Sequence, residues 1–317
     1  MTKLVHVAVG VIVNVDGKIL IAKRALSAHQ GGLWEFPGGK VDAGETVQQA
    51  LIRELREELA IEVVTCEPLI QIRHHYSDKS VLLDVYKITQ FNGEPRGNEG
   101  QPILWADAKQ LHEFEFPAAN HPIINAINLP STYMITGGFQ DEAEFSMRLD
   151  RALAVGIKIV QLRIENFDLK QHQALLEIAV SSVNKTSAHL MINTTPASFS
   201  EILKNCTGSN IGLHLSSKRA AMHSMRPVDD NIMLGVSCHN AEEISHAQKI
   251  GADYLLISPV LPTRSHPAVS PLGWSAFANL VELANVPVYA LGGVGDGDVL
   301  AAQKNGAQGV AGISAWW

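Results

Sequence analysis

The chain has 317 residues, 46% hydrophobic and 18% charged, with 25 Lys and Arg against 32 Asp and Glu for a net charge of −7. At about 100–200 residues per domain, this length predicts two domains and excludes a disulfide-stapled miniprotein. The low charge density excludes a disordered polyelectrolyte, the acidic balance argues against coating nucleic acid or anionic lipid, and no apolar run approaches the roughly 18 residues of a membrane span.

The first apolar run, Leu4 to Val13, meets Asn14-Val15-Asp16-Gly17 and then a second run, Ile19 to Ala22. Two such runs joined at Asp-Gly predict a β-hairpin rather than a secretory leader, and no small-residue cleavage site is evident. Strands are expected over Val5–Val13, Lys18–Lys23 and Ser80–Ile88, with a helix over Thr46–Leu59, a turn-rich segment at 92–97 and a last helix over Ile123–Asn128. That is a mixed α+β pattern. Leu129-Pro130-Ser131 then marks a boundary, because the residue before proline is biased out of a helix, giving domains 1–129 and 130–317.

Beyond the boundary the pattern alternates. Strands are expected at Tyr133–Thr136, Ile157–Leu162, His189–Asn193, Ile211–Leu215, Met233–Val236, Tyr254–Ile257, Val288–Leu291 and Gly309–Ile313. Amphipathic helices lie between most of them, as in Glu142–Ala154, Leu169–Val183, Ala241–Lys249 and Val299–Lys304. Eight short strands with helical crossovers predict a compact (β/α)8 TIM barrel; the alternative is an open, doubly wound sheet. Cys66, Cys206 and Cys238 are odd in number, scattered and outside metal-ligand spacing, so a reducing cytoplasm is the simplest setting.

The most informative stretch runs from Gly38-Gly39-Lys40 through Glu45 to Arg53-Glu54-Leu55-Arg56-Glu57-Glu58. Glu54, Glu57 and Glu58 fall at i, i+3 and i+4, so three carboxylates share one helix face while Ala50, Leu51, Leu55 and Leu59 supply an apolar one. Like charges at that spacing repel unless a cation sits among them, and hard oxygens suit Mg²⁺. A glycine loop ahead of such a helix lets backbone approach a phosphate or metal. Taken alone, a Glu-rich helix is more often a solvated face; the spacing of Gly39, Glu45 and the Arg53–Glu58 run makes this one distinctive.

At these residues the sequence resembles the Nudix hydrolases, whose signature is G-x5-E-x7-R-E-apolar-x-E-E-x-G-apolar; the late glycine is Ala60 here. The resemblance implies an α+β fold that cleaves a nucleoside diphosphate linked to another moiety, with Mg²⁺ or Mn²⁺ as cofactor. It implies Glu54, Glu57 and Glu58 as metal ligands, one of them ordering the attacking water, the Gly39 carbonyl completing the shell, and Arg53 with Glu45 bracing the loop. Across residues 4–128 the chain is similar to the MutT branch, the 8-oxo-dGTP pyrophosphohydrolases, in Ala22-Lys23-Arg24, Trp34 to Lys40, Gly97 to Gln101 and Phe116 to Pro122. That likeness implies that Asn120 reads the purine edge, that Arg24 and Lys40 bind substrate, that Phe36-Pro37 lines the base pocket and that Glu99 is a further metal ligand.

Residues 132–315 resemble the thiamine phosphate synthase/TenI family in Val160-Gln161-Leu162-Arg163, Gly212-Leu213-His214-Leu215, Gly235-Val236-Ser237-Cys238-His239, Ser258 to Thr263, Ala290 to Val294 and Gly309 to Ser314. Gly292, Gly293 and Ser314 then correspond to phosphate-gripping loops, and His239 to the proton-moving histidine of the thiazole tautomerases. The acidic metal ligands of the synthase are missing: Asn193-Thr194 stands where Asn-Asp is expected, Ser216-Ser217-Lys218-Arg219 replaces an acid-bearing loop, and Ile164-Glu165 stands where a basic residue usually follows. This implies a degenerate barrel that binds a thiamine-related phosphate, acts as a tautomerase or serves as scaffold. The expected protein is a hydrolase of 8-oxo-dGTP with a small-molecule nucleotide as partner and no membrane or stable nucleic-acid contact. The alternatives are hydrolysis of a thiamine-pathway diphosphate with the barrel as product binder, and a barrel that is a non-catalytic binding module.

Overall fold

Residues 4–27, 29–76, 79–164, 169–206, 210–263 and 269–317 are described by a computed structural model, and the chain divides into two units, Met1–Asn128 and Leu129–Trp317. Glu165 lies outside the described residues.

The first unit runs β1 (Leu4–Ile12), β2 (Ile19–Lys23), β3 (Trp34–Glu35), β4 (Gly38–Lys40), α1 (Val47–Leu59), β5 (Glu62–His75), β6 (Ser80–Asn92), β7 (Ile103–Ala106) and α2 (His121–Asn128). One sheet has the order β4-β1-β6-β5 and the other β3-β2-β7. The expected hairpin is corrected here. Its turn exists, with the Asn14 side-chain oxygen accepting from the N–H groups of Asp16 and Lys18 at 3.0 and 2.8 Å. Yet β1 and β2 share only the Val13–Ile19 bridge, because β4 and β6 already occupy both edges of β1 and β2 must turn into the second sheet.

The long strand β5 escaped the sequence reading for a physical reason. It is an edge strand carrying Pro68, and its pairing with β6 slips at Val63/Thr65, Thr65/Cys66 and Pro68/Ile70. Proline cannot donate to a ladder and is tolerated at an edge, while each slip breaks the alternation that marks a strand. Helix α1 buries Ala50, Leu51, Leu55 and Leu59 completely against Ala8, Ile12 and Ile88 of the sheet. At about 2 kcal/mol per buried leucine, this apolar stripe sets the helix rotation and so decides where its carboxylates point.

The second unit alternates β8 (Thr132–Ile135), α3 (Glu142–Ala154), β9 (Ile159–Leu162), α4 (Leu169–Asn184), β10 (His189–Asn193), α5 (Pro196–Asn205), β11 (Ile211–Leu215), α6 (Ser217–Ala220), β12 (Leu234–Cys238), α7 (Ala241–Lys249), β13 (Tyr254–Ile257), α8 (Gly273–Val281), β14 (Val288–Leu291), α9 (Val299–Lys304) and β15 (Gly309–Gly312). The eight strands pair in parallel and close, β15 onto β8, so the open-sheet alternative falls. Inside the ring, Tyr133, Tyr254 and Tyr289 are fully buried and meet edge to face at 5.4–5.9 Å. The three cysteines are free thiols. Among the described residues, no helix is long and apolar enough to cross a membrane.

Candidate active site and barrel cavity

Helix α1 begins on a capping box: Thr46 Oγ1 accepts from the Gln49 N–H at 3.2 Å, and Gln49 Oε1 accepts from the Thr46 N–H at 2.8 Å. Its outer face is organised by Arg53. Arg53 Nε and Nη2 donate to the two oxygens of Glu45 at 2.8 and 2.9 Å, Nη2 also to the Lys40 carbonyl at 3.0 Å, and Nη1 to Glu54 at 2.8 Å and Glu57 at 3.4 Å. One planar guanidinium thus ties the loop at 40–45 to the helix, a fork that lysine cannot reproduce. The pairing holds the Glu45 carboxyl below the usual carboxylate range.

The glycines ahead of the helix are required by close approach. A side chain on Gly39 would fall inside the Glu54 carboxylate, and one on Gly38, at φ +148, would strike the Ala8 carbonyl. The far end of α1 is sealed by the loop after β6. Asn98 donates from its N–H to the Glu58 carbonyl and from Nδ2 to the Glu57 carbonyl, both at 2.9 Å; Gln101 Nε2 reaches the Glu58 carbonyl at 3.0 Å, and the Arg96 N–H the Leu59 carbonyl at 3.1 Å. These bonds satisfy carbonyls that a helix end leaves open, and they hold Glu99 beside the carboxylate face.

Ala60 closes the helix at φ 56, ψ 35, the left-handed conformation for which the signature glycine is suited. Ala60→Gly is expected to stabilise the first unit by up to about 1 kcal/mol, the relieved strain exceeding the added freedom of the unfolded chain. Urea unfolding checks this, and a lower midpoint in the variant would contradict it.

Glu58 accepts from the Gly38 N–H at 3.2 Å. Its carboxyl is pushed up to about 8, first by burial, against the opposing Gly38 bond, with the charges of Glu35, Glu54 and Glu99 each raising it further. Glu35 is a member that sequence reasoning passed over; its signal was an acid set between Trp34 and Phe36. Burial raises its pKa despite the ion pair with Arg24, whose Nε also donates to the His29 carbonyl at 3.0 Å. Among the described residues, no three His, Cys, Asp or Glu side chains are gathered into a ligating cluster; Glu54 is turned to Arg53 and Glu57 is half exposed. The donor set still fits a hard divalent cation, since three carboxylates act on a fourth with no full compensation.

The Phe36 ring stacks on Phe116 with centroids 5.3 Å apart and is buried in the core, so its backbone is what it can offer a ligand. Asn120 ends a short 3₁₀ turn, Ala118–Asn120, just before α2, with its N–H donating to the Pro117 carbonyl at 2.8 Å. Its side chain is half-buried.

At the C-terminal ends of the barrel strands lies a cavity of about 570 Å³, with Gly292, Gly293, Ser314 and His239 in its lining. Gly292 and Gly293 have φ of +94 and +71 and pack against Pro259 and Pro262, leaving no room for side chains. His239 Nδ1–H donates to Glu243 at 2.8 Å, which leaves Nε2 as its basic nitrogen. Glu243 was also missed, one helical turn away in α7. From the lining of the cavity, which includes Arg219, Asn193, Gln161 and Ser237, a run of hydrogen bonds crosses the barrel. Arg219 Nη1 donates to Asn193 Oδ1 at 2.8 Å, Asn193 Nδ2 to Gln161 Oε1 at 2.9 Å, and Gln161 Nε2 to the Tyr133 hydroxyl at 3.1 Å. The Tyr133 and Tyr254 hydroxyls are 2.9 Å apart, Tyr254 lies 3.4 Å from His214 Nδ1, and His214 Nε2 lies 2.8 Å from Ser237 Oγ. His214 is held neutral, its pKa lowered to about 3 by burial and by the charges of Arg163 and Arg219.

The fold and these two sites define a protein made of a mixed-sheet module with a carboxylate helix and a (β/α)8 barrel with a polar mouth. Two family descriptions match it, NUDIX domain over residues 8–126 and Thiamine monophosphate synthase over residues 132–316. The first part is 38% identical over 122 residues to the 8-oxo-dGTP diphosphatase of Escherichia coli strain K12, covering 38% of this chain and 95% of that protein. It is 36% identical over 124 residues to the CTP pyrophosphohydrolase of the same organism, covering 39% of this chain and 91% of that one. The barrel is 32% identical over 188 residues to a protein of Aquifex aeolicus named "Putative thiamine-phosphate synthase 2", covering 59% of this chain and 98% of that protein. The chain belongs to the Nudix family through its N-terminal part and to the thiamine monophosphate synthase family through its barrel.

Proposed function

We propose that the Nudix half is a Mg²⁺- or Mn²⁺-dependent pyrophosphohydrolase whose substrate is 8-oxo-dGTP, cleaved by water to 8-oxo-dGMP and pyrophosphate. The half is a hydrolase acting on phosphoric anhydrides. The observation that supports the metal-dependent reading is the convergence of Glu35, Glu54 and Glu99 on the half-buried Glu58, behind a glycine loop shaped to the Glu54 carboxylate. Glu54, Glu57, Glu58, Glu99 and the Gly39 carbonyl hold the cation in this reading. A bound divalent ion offsets charge on the triphosphate and lowers the pKa of a bound water. Arg53 positions Glu54, Glu45 and Glu57 together. Lys40 and Arg24 supply positive charge for the phosphates. The Asn120 amide, able to give and take hydrogen bonds in one plane, reads the purine edge above the Phe36-Pro37 backbone.

The test is a hydrolysis panel of 8-oxo-dGTP, dGTP, CTP and thiamine diphosphate, with pyrophosphate and orthophosphate measured separately. The expected result is pyrophosphate from 8-oxo-dGTP at the highest kcat/KM, abolished by chelator. Orthophosphate as the product, or faster turnover of thiamine diphosphate, would refute it. Asn120→Ala should cut the preference for 8-oxo-dGTP over dGTP about tenfold, the worth of a lost base contact, with kcat nearly kept.

For the barrel, the orientation of His239 by Glu243 favours a second reading, in which Gly292, Gly293 and Ser314 hold a phosphate and His239 Nε2 exchanges a proton with the ligand.

A further inference from the structure

The fold family of the barrel implies a divalent cation on acidic ligands in the cavity. The described lining residues do not fit one. The cavity contains no Asp or Glu among its described lining residues, while it contains Arg163, Lys218 and Arg219. None of these three forms an ion pair with a carboxylate among the described residues. Asn193 Oδ1, an oxygen that would otherwise suit a metal, accepts from the Arg219 guanidinium at 2.8 Å, and the neighbouring Thr194 is buried and carries no charge.

The run of hydrogen bonds has fixed donors from Arg219 to Tyr133, and one sense of the remaining bonds gives every proton an acceptor. Arginine and the side-chain amides donate toward Tyr133; of the two senses open to the Tyr133–Tyr254 pair, the one in which Tyr133 donates to Tyr254 and Tyr254 to His214 Nδ1 gives each hydroxyl proton an acceptor. The neutral imidazole then carries its proton on Nε2 and donates to Ser237 Oγ. Ser237 lines the cavity, and with its oxygen accepting from below, its own O–H is left to donate into the cavity. Three cations and an oriented hydroxyl, with no acid among the described lining residues, form a receptor for an anion.

We propose that the barrel cavity binds a phosphorylated small molecule without a divalent cation, Arg163, Lys218 and Arg219 taking the place of the metal on a diphosphate or phosphate group and Ser237 donating to it. This goes beyond the reading of the glycine loop. In the barrel, β9 ends just before Arg163 and β11 leads into Lys218 and Arg219; β11 lies across the ring from β15, which leads into Ser314, with β14, which leads into Gly292 and Gly293, beside β15. The cavity therefore has an anion-receptive rim on each side.

The test is calorimetric titration of the full-length protein with inorganic pyrophosphate, first in excess EDTA and then with added Mg²⁺. Pyrophosphate is expected to bind in EDTA and to bind more weakly as Mg²⁺ is added, because Mg²⁺ competes with the protein for the anion. Removal of each cation is expected to weaken binding about tenfold, the worth of a charge-assisted contact, in Lys218→Ala, Arg219→Ala and the double variant. Lys218 is exposed, so Lys218→Glu serves as the second probe should the double variant unfold, and it too is expected to weaken binding at least tenfold. Binding that appears only with Mg²⁺, absence of binding in EDTA, or equal affinity in the wild type and Lys218→Glu would each overturn the proposal. In the last case the anion sits elsewhere, the Nudix half included, and the hydrolysis panel reads that half separately.

Discussion

Glu57→Gln is expected to lower turnover of the Nudix half about a thousandfold, the several kcal/mol that a divalent cation contributes at a phosphoryl centre. The change removes one charge and keeps the shape. The Glu57 carboxylate makes one long bond, to Arg53, and the side chain is 58% exposed, while the bond from Asn98 goes to the backbone carbonyl that the substitution keeps, so the fold should be untouched. Glu54→Gln is expected to cost as much, with an added effect on loop order because Arg53 binds Glu54 and Glu45 at once. Circular dichroism and thermal unfolding show whether each variant is folded, and steady-state kinetics over a range of Mg²⁺ concentrations show whether excess metal rescues it. Near-wild-type activity in either variant would remove the carboxylate face from the chemistry.

The second large effect is on stability. His214 has an ordinary pKa of 6.5 when unfolded and about 3 in the barrel. Between those values the unfolded chain binds a proton that the folded barrel refuses, so the contribution is fully present above 6.5 and is lost as pH falls toward 3. The slope is on the order of 1 kcal/mol per pH unit within that window. Urea unfolding followed from about pH 7 to about pH 4 should therefore show a steep loss for the wild type and a flatter one for His214→Asn, which carries no titrating ring. Identical slopes in the two proteins would mean that His214 is not the group resisting protonation.

The legibility of these features in the sequence follows the range of the interactions that build them. The barrel strands are buried on both faces, so each reads as a short, mainly apolar run with at most one or two polar residues, and the helix caps between them keep the period visible. The carboxylate face of α1 is a local pattern of one and a half turns and needs no tertiary information. By contrast β3 and β4 span two and three residues, too short for any period, and β5 hides its alternation behind Pro68 and three slips in pairing. The two partners that matter most beside the predicted residues, Glu35 for Glu58 and Glu243 for His239, act through space and through a helical turn respectively. The buried run from Arg219 to Ser237 draws on seven residues spread from Tyr133 to Tyr254. In the sequence, its tyrosines read as core and its serine as a strand end. Only closure of the ring puts them in line.

That line starts and finishes on one cavity, and its sense of travel belongs to the whole row rather than to any member. Turning over the Gln161 amide would present its oxygen to Tyr133, oblige both phenols and the imidazole to reverse, and convert the Ser237 end from giver to taker. The row therefore has two senses that satisfy its own members, and the guanidinium of Arg219, which can only give, favours one of them.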